Sequence, residues 1–273
     1  MTTVPLPSIS VSDLLASHGR AEAPLCIDVR READFTASGR LVSGSLRRDP
    51  AMFETWAKDL GARSVVVHCA HGRAVSQDTC ARLANLGVAA RYLEGGYAAW
   101  CADGGPTIAW REPLRSTPGR WITRERPKID RIACPWLVRR FIDPLAEFFY
   151  VPTAEVRERG RQLGAEPYDI PDARFSHVGD QCSFDAFIRH FELRAPGLVH
   201  LAAIVRGAGT ARPELAAQAP GLLAISLGLS ANYPDDHAML AQGMTLYDAL
   251  YAWCRSAGTE AHDWKPTTME IRP

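Results

Sequence analysis

An apolar β-branched run, an abrupt polar stop and a helical pattern follow one another near the middle of the first half of the chain. Val65-Val66-Val67-His68 has the composition of a short buried strand. It ends at Cys69, a turn containing Gly72 follows, and Ala81, Leu83, Ala84 and Leu86 then supply a helix that Gly87 closes. The pattern predicts a strand, a tight loop and a helix, with a thiol at the first loop position. Weaker copies of the alternation flank it. Residues 9–12 read as a short strand, with Ser12 as the cap of a helix through Leu14 and Leu15. Residues 25–29 read as a buried strand, and Arg30 to Phe35 start a short helix. Phe53, Trp56 and Leu60 share one face of a helix over 52–60, residues 91–93 form a last strand, and 97–101 a closing helix. Strands alternating with helices predict an α/β fold, a parallel sheet covered by helices. Ligands in such a fold sit beyond the carboxyl ends of the strands, where Cys69 falls.

The pattern then breaks. Gly104, Gly105, Pro106, Pro113, Pro118, Gly119 and Pro127 interrupt any regular element, and this stretch reads as a linker. From Ile129 onward the periodicity is helical: Ile129, Ile132, Ala133, Trp136, Leu137 and Phe141 make a stripe at 3.6-residue spacing, with Pro135 either starting or kinking the helix. Residues 146–151 read as a strand. Ser183 caps a helix through Phe187 and Phe191, 198–205 is a helix stopped by Gly207, and 215–229 is helical but broken at Pro220-Gly221. Two further helices, 234–241 and 246–254, finish the pattern, the second opened by Thr245 and Asp248 as a capping box. The expected organisation is therefore residues 1–106, a linker at 107–127, and a mostly α-helical second domain at 128–273.

Composition narrows the function classes. The 273 residues carry 31 basic and 31 acidic side chains, and residues 1–106 hold 11 of each, so no basic field favours a nucleic acid partner. No secretory signal opens the chain, and no 18-residue apolar stretch predicts a membrane span. The seven cysteines are widely spaced with no C-x-x-C pair, which fits free thiols in a reducing, cytoplasmic compartment.

Two groups of residues carry candidate chemistry. Loop amides and a helix N-terminus stabilise an anion, so Cys69 is the candidate nucleophile, and a loop of this kind can hold a second sulfur or an anion above it. Asp28, at the end of the neighbouring strand, either orients that loop through its amides or caps the helix after it. Phosphatase chemistry is excluded: His68-Cys69 would need an arginine at position 75 to fork onto phosphate, and Val75 stands there. In the second half His177, Asp180, Asp236 and His237 form a candidate site for a divalent metal, zinc, manganese or iron, with Asp235 and Asp236 otherwise read as first-turn helix acids. Cys134 and Cys182 could add thiolates to that site, but beside Trp136 and Phe184 they read as core thiols.

Cys26-Ile27-Asp28-Val29-Arg30, the cysteine loop and Leu93-Glu94-Gly95-Gly96-Tyr97-Ala98-Ala99-Trp100 together resemble a rhodanese domain over about residues 8–104. The resemblance implies a persulfide on Cys69, a substrate-binding loop of Ala70, His71, Gly72, Arg73 and Ala74, thiosulfate or another small sulfur donor, a thiol or cyanide acceptor, and no cofactor for the transfer. The loop departs from the commonest pattern, with Ala74 and Val75 where an arginine and a serine are frequent and the arginine at position 73. Residues 126–137, 176–185 and 221–229 resemble the C-terminal domain of ChrB-type chromate-resistance proteins, over about residues 121–265. That resemblance implies an association with chromate. Some such proteins carry a DNA-binding front half, which the rhodanese-like half replaces here. The leading expectation is a sulfurtransferase-like protein. The alternatives are a non-catalytic sensor of chromate or another oxyanion, and a metal-dependent enzyme with its site in the helical half.

Overall fold

The computed structural model describes residues 6–61, 63–111, 114 and 118–257. Its first half runs β1 (Ser8–Ile9), α1 (Val11–Ser17), β2 (Leu25–Asp28), α2 (Glu32–Ser38), β3 (Arg40–Val42), β4 (Ser45–Arg47), α3 (Phe53–Trp56), β5 (Val65–His68), α4 (Ala74–Asn85), β6 (Ala90–Leu93), α5 (Gly96–Ala102) and β7 (Thr107–Ala109). Five strands form one sheet in the order β1-β6-β5-β2-β4, every neighbouring pair parallel. The β-branched run of β5 sits at its centre because Val65, Val66 and Val67 are covered on both faces and fully buried. β3 and β7 pair antiparallel as a separate ribbon. Ser10, not Ser12, caps α1, its Oγ accepting the Asp13 N–H at 3.1 Å from extended backbone immediately before the helix.

The second half runs β8 (Arg120–Arg124), α6 (Asp130–Phe141), β9 (Glu147–Val151), α7 (Val156–Leu163), β10 (Glu166–Pro167), α8 (Ser183–His190), α9 (Leu198–Gly209), α10 (Ala219–Asn232) and α11 (Asp236–Ala252), with a π turn over Trp253–Ala257. It is mostly helical, and β10, β8 and β9 add a small parallel sheet. The stretch 107–127, expected as a linker, holds β7 and β8. Short strands in a Gly-, Pro- and Arg-rich stretch leave too little apolar alternation to be read. Residues 112, 113 and 115–117 of that stretch, and 258–273 of the expected second domain, lie outside the described residues.

Helix boundaries differ from the sequence pattern for local reasons. Pro135 lies inside α6, which begins at Asp130. The cap of α8 is Cys182, whose N–H donates to Asp185 Oδ2 at 3.0 Å, while Ser183 Oγ is drawn to Asp169 instead. Gly207 does not stop α9; it lets the Arg212 carbonyl and Ala219 approach. Pro220 starts α10 instead of breaking it, at the helix position where its missing N–H costs nothing. The two expected terminal helices are one, α11. Asp248 opens no helix there: it takes the Trp136 indole N–H at 2.8 Å and the Arg140 guanidinium at 2.8 Å.

The halves share a core. Phe35, Leu41 and Ile108 belong to the same apolar cluster as Trp136, Phe141, Phe184, Phe187 and Tyr247. Gly44 N–H and Ser43 Oγ both donate to the Phe141 carbonyl, at 2.8 and 2.9 Å, and Ala109 N–H donates to the Phe191 carbonyl at 2.8 Å. No helix among the described residues is long and apolar enough to cross a membrane.

Candidate functional site

Cys69 is the first residue after the central strand, at the carboxyl edge of the sheet. The chain turns there, and Arg73, just before α4, brings the helix start back over the sulfur. Two glycines make the turn compact. Gly72 has φ +65°, and a Cβ on it would lie 2.4 Å from the Leu93 carbonyl oxygen. Gly96 has φ +61°, and a Cβ on it would lie 2.4 Å from both the Cys69 oxygen and the Gly72 nitrogen. The segment after β6 is thus laid directly on the cysteine loop. Tyr97 N–H donates to the Cys69 carbonyl at 2.9 Å and Ala98 N–H to the Ala70 carbonyl at 3.0 Å. Those carbonyls are held from outside, which leaves the loop N–H groups free to face inward.

Cys69 is 7% exposed, while His71, Arg73 and Ala74 stand in solvent. Ser76 Oγ lies 3.2 Å from Sγ. Burial by itself would raise the thiol, but the Ser76 hydroxyl and the backbone N–H groups of Ser76, His71 and Arg73 outweigh it and hold Cys69 below the ordinary thiol range. The neutral thiol has its own acceptor, the Arg73 carbonyl at 3.9 Å. Ser76 Oγ also reaches that carbonyl at 3.1 Å, so its one proton goes to the carbonyl or to the thiolate. The other cysteines whose acidity is shifted move the opposite way. Burial raises Cys26 to about 12 and Cys254 to about 11, and raises Cys80, Cys134 and Cys182 as well.

The anticipated loop residues take different places. His71 and Arg73 contribute amides to the sulfur. The Gly72 carbonyl accepts from Gln77 Nε2 at 3.0 Å, and Ala70 is tied to Ala98 through its carbonyl. The Arg73 side chain forms no ion pair among the described residues, and Ala74 begins α4. Ser76 was not singled out by sequence. Its signal is a hydroxyl in the first turn of the helix that follows the cysteine loop.

Asp28 takes neither anticipated role: it meets no loop amide, and α2 has no side-chain cap. Its carboxylate is buried against Arg30, accepting that residue's N–H at 2.9 Å and its Nε at 2.9 Å. Arg30 in turn lies 3.8 Å over the Tyr97 ring, in the segment laid on the cysteine loop, and Asp28 also pairs in register with His68, the residue before Cys69. His68 is fully buried. Desolvation lowers it to about 4, so it is neutral near pH 7, and the hydrogen bonds of Cys69 go to Ser76 and Arg73 and not to its ring.

The anticipated metal ligands of the second half are not brought together. Asp180 is exposed and pairs with Arg212 at 3.4 Å. Asp236 accepts the Arg126 N–H at 3.1 Å, and His237 packs edge-on against Tyr150. The run of polar residues at the start of α11 is a surface helix end, with Asp235 capping it through the Ala238 N–H at 2.7 Å. His177 instead meets Asp130 and Asp169, the three offering ligand atoms within 4.8 Å of one another. The sequence pattern distinguishes neither aspartate: Asp130 stands among Lys128, Ile129 and Arg131, and Asp169 between Tyr168 and Ile170. Asp130 is 4% exposed, and burial together with the Asp169 charge raises its carboxyl to about 6.

Two family models match the chain: a rhodanese-like domain over residues 10–103 and the C-terminal domain of ChrB over residues 121–254. Protein ChrB of Cupriavidus metallidurans is 34% identical over 146 residues, which is 53% of this chain. The chain spans only 43% of that relative's length. Among solved structures, a rhodanese-related protein from Thermoplasma volcanium is 25% identical at a TM-score of 0.33, over 37% of this chain and 97% of that one. A thiosulfate sulfurtransferase from Pseudomonas aeruginosa is 21% identical at a TM-score of 0.33, over 38% of this chain and 19% of that one. The chain joins a rhodanese-like domain, residues 10–103, to a ChrB C-terminal domain, residues 121–254.

Proposed function

We propose that this protein is a cytoplasmic sulfurtransferase-like enzyme that carries a persulfide on Cys69 and acts in chromate resistance. One observation carries the reading: of all the cysteines whose acidity is shifted, Cys69 alone is held down, by a hydroxyl and a ring of amides at a strand end. A thiolate so placed is a nucleophile for sulfane sulfur. It attacks the outer sulfur of thiosulfate, a new S–S bond forms as the old one breaks, and the electron pair leaves with sulfite. An acceptor thiolate or cyanide then attacks the outer sulfur of the persulfide and regenerates the Cys69 thiolate. The same amides that hold the thiolate hold the persulfide anion. No cofactor is required for either step. The free state of all seven cysteines supports a reducing location, and the ChrB domain supports the link to chromate.

The test is the intact mass of the protein after incubation with thiosulfate and removal of excess donor. The expected result is one added sulfur, mapped to the peptide containing Cys69 and removed by cyanide with release of thiocyanate. Addition to other cysteines alone, or no addition, overturns the assignment.

A further inference from the structure

Asp130 is a buried carboxylate without a fixed counter-charge. Its side chain is 5% exposed, and among the described residues the only basic group at ion-pair distance is the His177 imidazole, with Nε2 3.7 Å from Oδ2. A second carboxylate, Asp169, stands beside it, also nearly buried. Buried charges in proteins are paired or bound to a cation, because an uncompensated one is expensive. The separation of 3.7 Å is too long for a hydrogen bond.

The spacing suits an ion. His177 Nε2 lies 3.3 Å from Asp169 Oδ1 and 3.7 Å from Asp130 Oδ2. Two ligands each about 2.1 Å from one metal are about 3.0–3.4 Å apart at octahedral to tetrahedral angles, so closing these gaps needs only a few tenths of an ångström. The remaining oxygens are already held: Asp130 Oδ1 accepts the Phe184 N–H at 3.1 Å. Asp169 Oδ1 also accepts from Ser183 Oγ at 2.7 Å, and its Oδ2 takes Arg124 and Arg131 at 3.2 and 3.4 Å. Such outer bonds fix ligand orientation in metal centres. The two guanidiniums lie on Asp169 Oδ2 and leave Asp130 untouched. All three residues line a cavity of about 670 Å³ that also includes Gly209, whose missing side chain is needed because a Cβ would lie 2.4 Å from Asp130 Oδ2.

From this geometry we infer that Asp130, Asp169 and His177 form a divalent-cation site of the manganese, iron or zinc class, with open coordination positions facing the cavity. One imidazole with two carboxylates suits these ions, and three protein ligands leave room for water or a ligand in the cavity. The site is independent of Cys69.

The experiment uses the full chain, stripped with chelator and dialysed against Mn²⁺ and, separately, Zn²⁺, with metal per chain read by elemental analysis and affinity by calorimetry. Mn²⁺ reports the oxygen and nitrogen ligands without competition from thiolates. The expected result is one saturable ion per chain for at least one of the two metals, lost in both Asp130→Asn and His177→Ala. Asp130→Asn keeps the oxygen that accepts the Phe184 N–H. His177→Ala changes a side chain that is 40% exposed, so it keeps the test valid if Asp130→Asn fails to fold. Absence of saturable binding by the unaltered protein, or equal binding by both variants, overturns the inference.

Discussion

Cys69→Ser is expected to reduce the proposed thiosulfate:cyanide sulfur transfer to the level of the uncatalysed reaction while leaving the fold in place. A serine hydroxyl at this position is not ionised near pH 7 and cannot carry sulfane sulfur, so both half-reactions lose their carrier. The loss is complete and not graded, because no other group in the loop can accept the sulfur in its place. The fold survives because the change is nearly isosteric and the position lies at the loop mouth, 7% exposed, where the Ser76 hydroxyl and the Arg73 carbonyl offer partners to a new hydroxyl. Stability should therefore change by no more than about 1 kcal/mol. Steady-state thiocyanate production and a urea melt check the two halves of the prediction. A Cys69→Ser protein that keeps measurable turnover would place the sulfur elsewhere.

Gly96→Ala has the next largest effect, and it acts on structure first. Gly96 holds φ +61°, and the new Cβ would lie 2.4 Å from the Cys69 oxygen, 2.4 Å from the Gly72 nitrogen and 2.9 Å from the His71 nitrogen. All three are backbone atoms, so no side chain can swing aside. The cysteine loop must move, and with it the amides that face the sulfur. The cost combines about 1 kcal/mol for a left-handed residue with a Cβ and the displacement of the loop, on the order of 2–4 kcal/mol in total. Sulfur transfer should fall with it. Gly87→Ala separates the two contributions, since Gly87 has φ +79° but nothing within 4 Å of a new Cβ. It should cost only about 1 kcal/mol and leave transfer intact. Urea midpoints and transfer rates of the two variants check the contrast. Equal stability losses would show that the loop and the Gly96 segment are not in contact.

These two positions show what the sequence displays and what it hides. The β-branched run ending at Cys69, with Gly72 behind it, is legible because strand, turn and helix start each have a local signature. The pairing of Gly72 with Gly96 is not visible in the pattern, because each glycine reads only as a local turn residue and their close approach is set by the fold. Ser76 escapes notice because its role appears only when the loop folds back and puts the first turn of α4 over the sulfur. In the second half, His177 stands out as a candidate ligand, but Asp130 comes from the start of α6, far back along the chain, and Asp169 from the irregular stretch just after β10, where no periodicity marks it. Asp236 and His237 look like ligands because adjacent polar residues at a helix start carry the same letters as a metal motif. The strand β8 is hidden among prolines, glycines and arginines, and it is paired on both sides by β9 and β10 contributed from later in the chain.

The central claim is that Ser76 and the loop amides make the Cys69 thiol more acidic than a free thiol, and the pH dependence of its alkylation tests this most directly. Iodoacetamide labelling is followed on the Cys69 peptide, with glutathione as the free-thiol reference in the same tube. The rate follows the thiolate, so it rises with pH through the folded-state value and levels off above it. The account predicts a midpoint below that of glutathione, shifted upward in Ser76→Ala, where one donor to the sulfur is gone. A Cys69 profile that coincides with glutathione or lies above it would contradict the account.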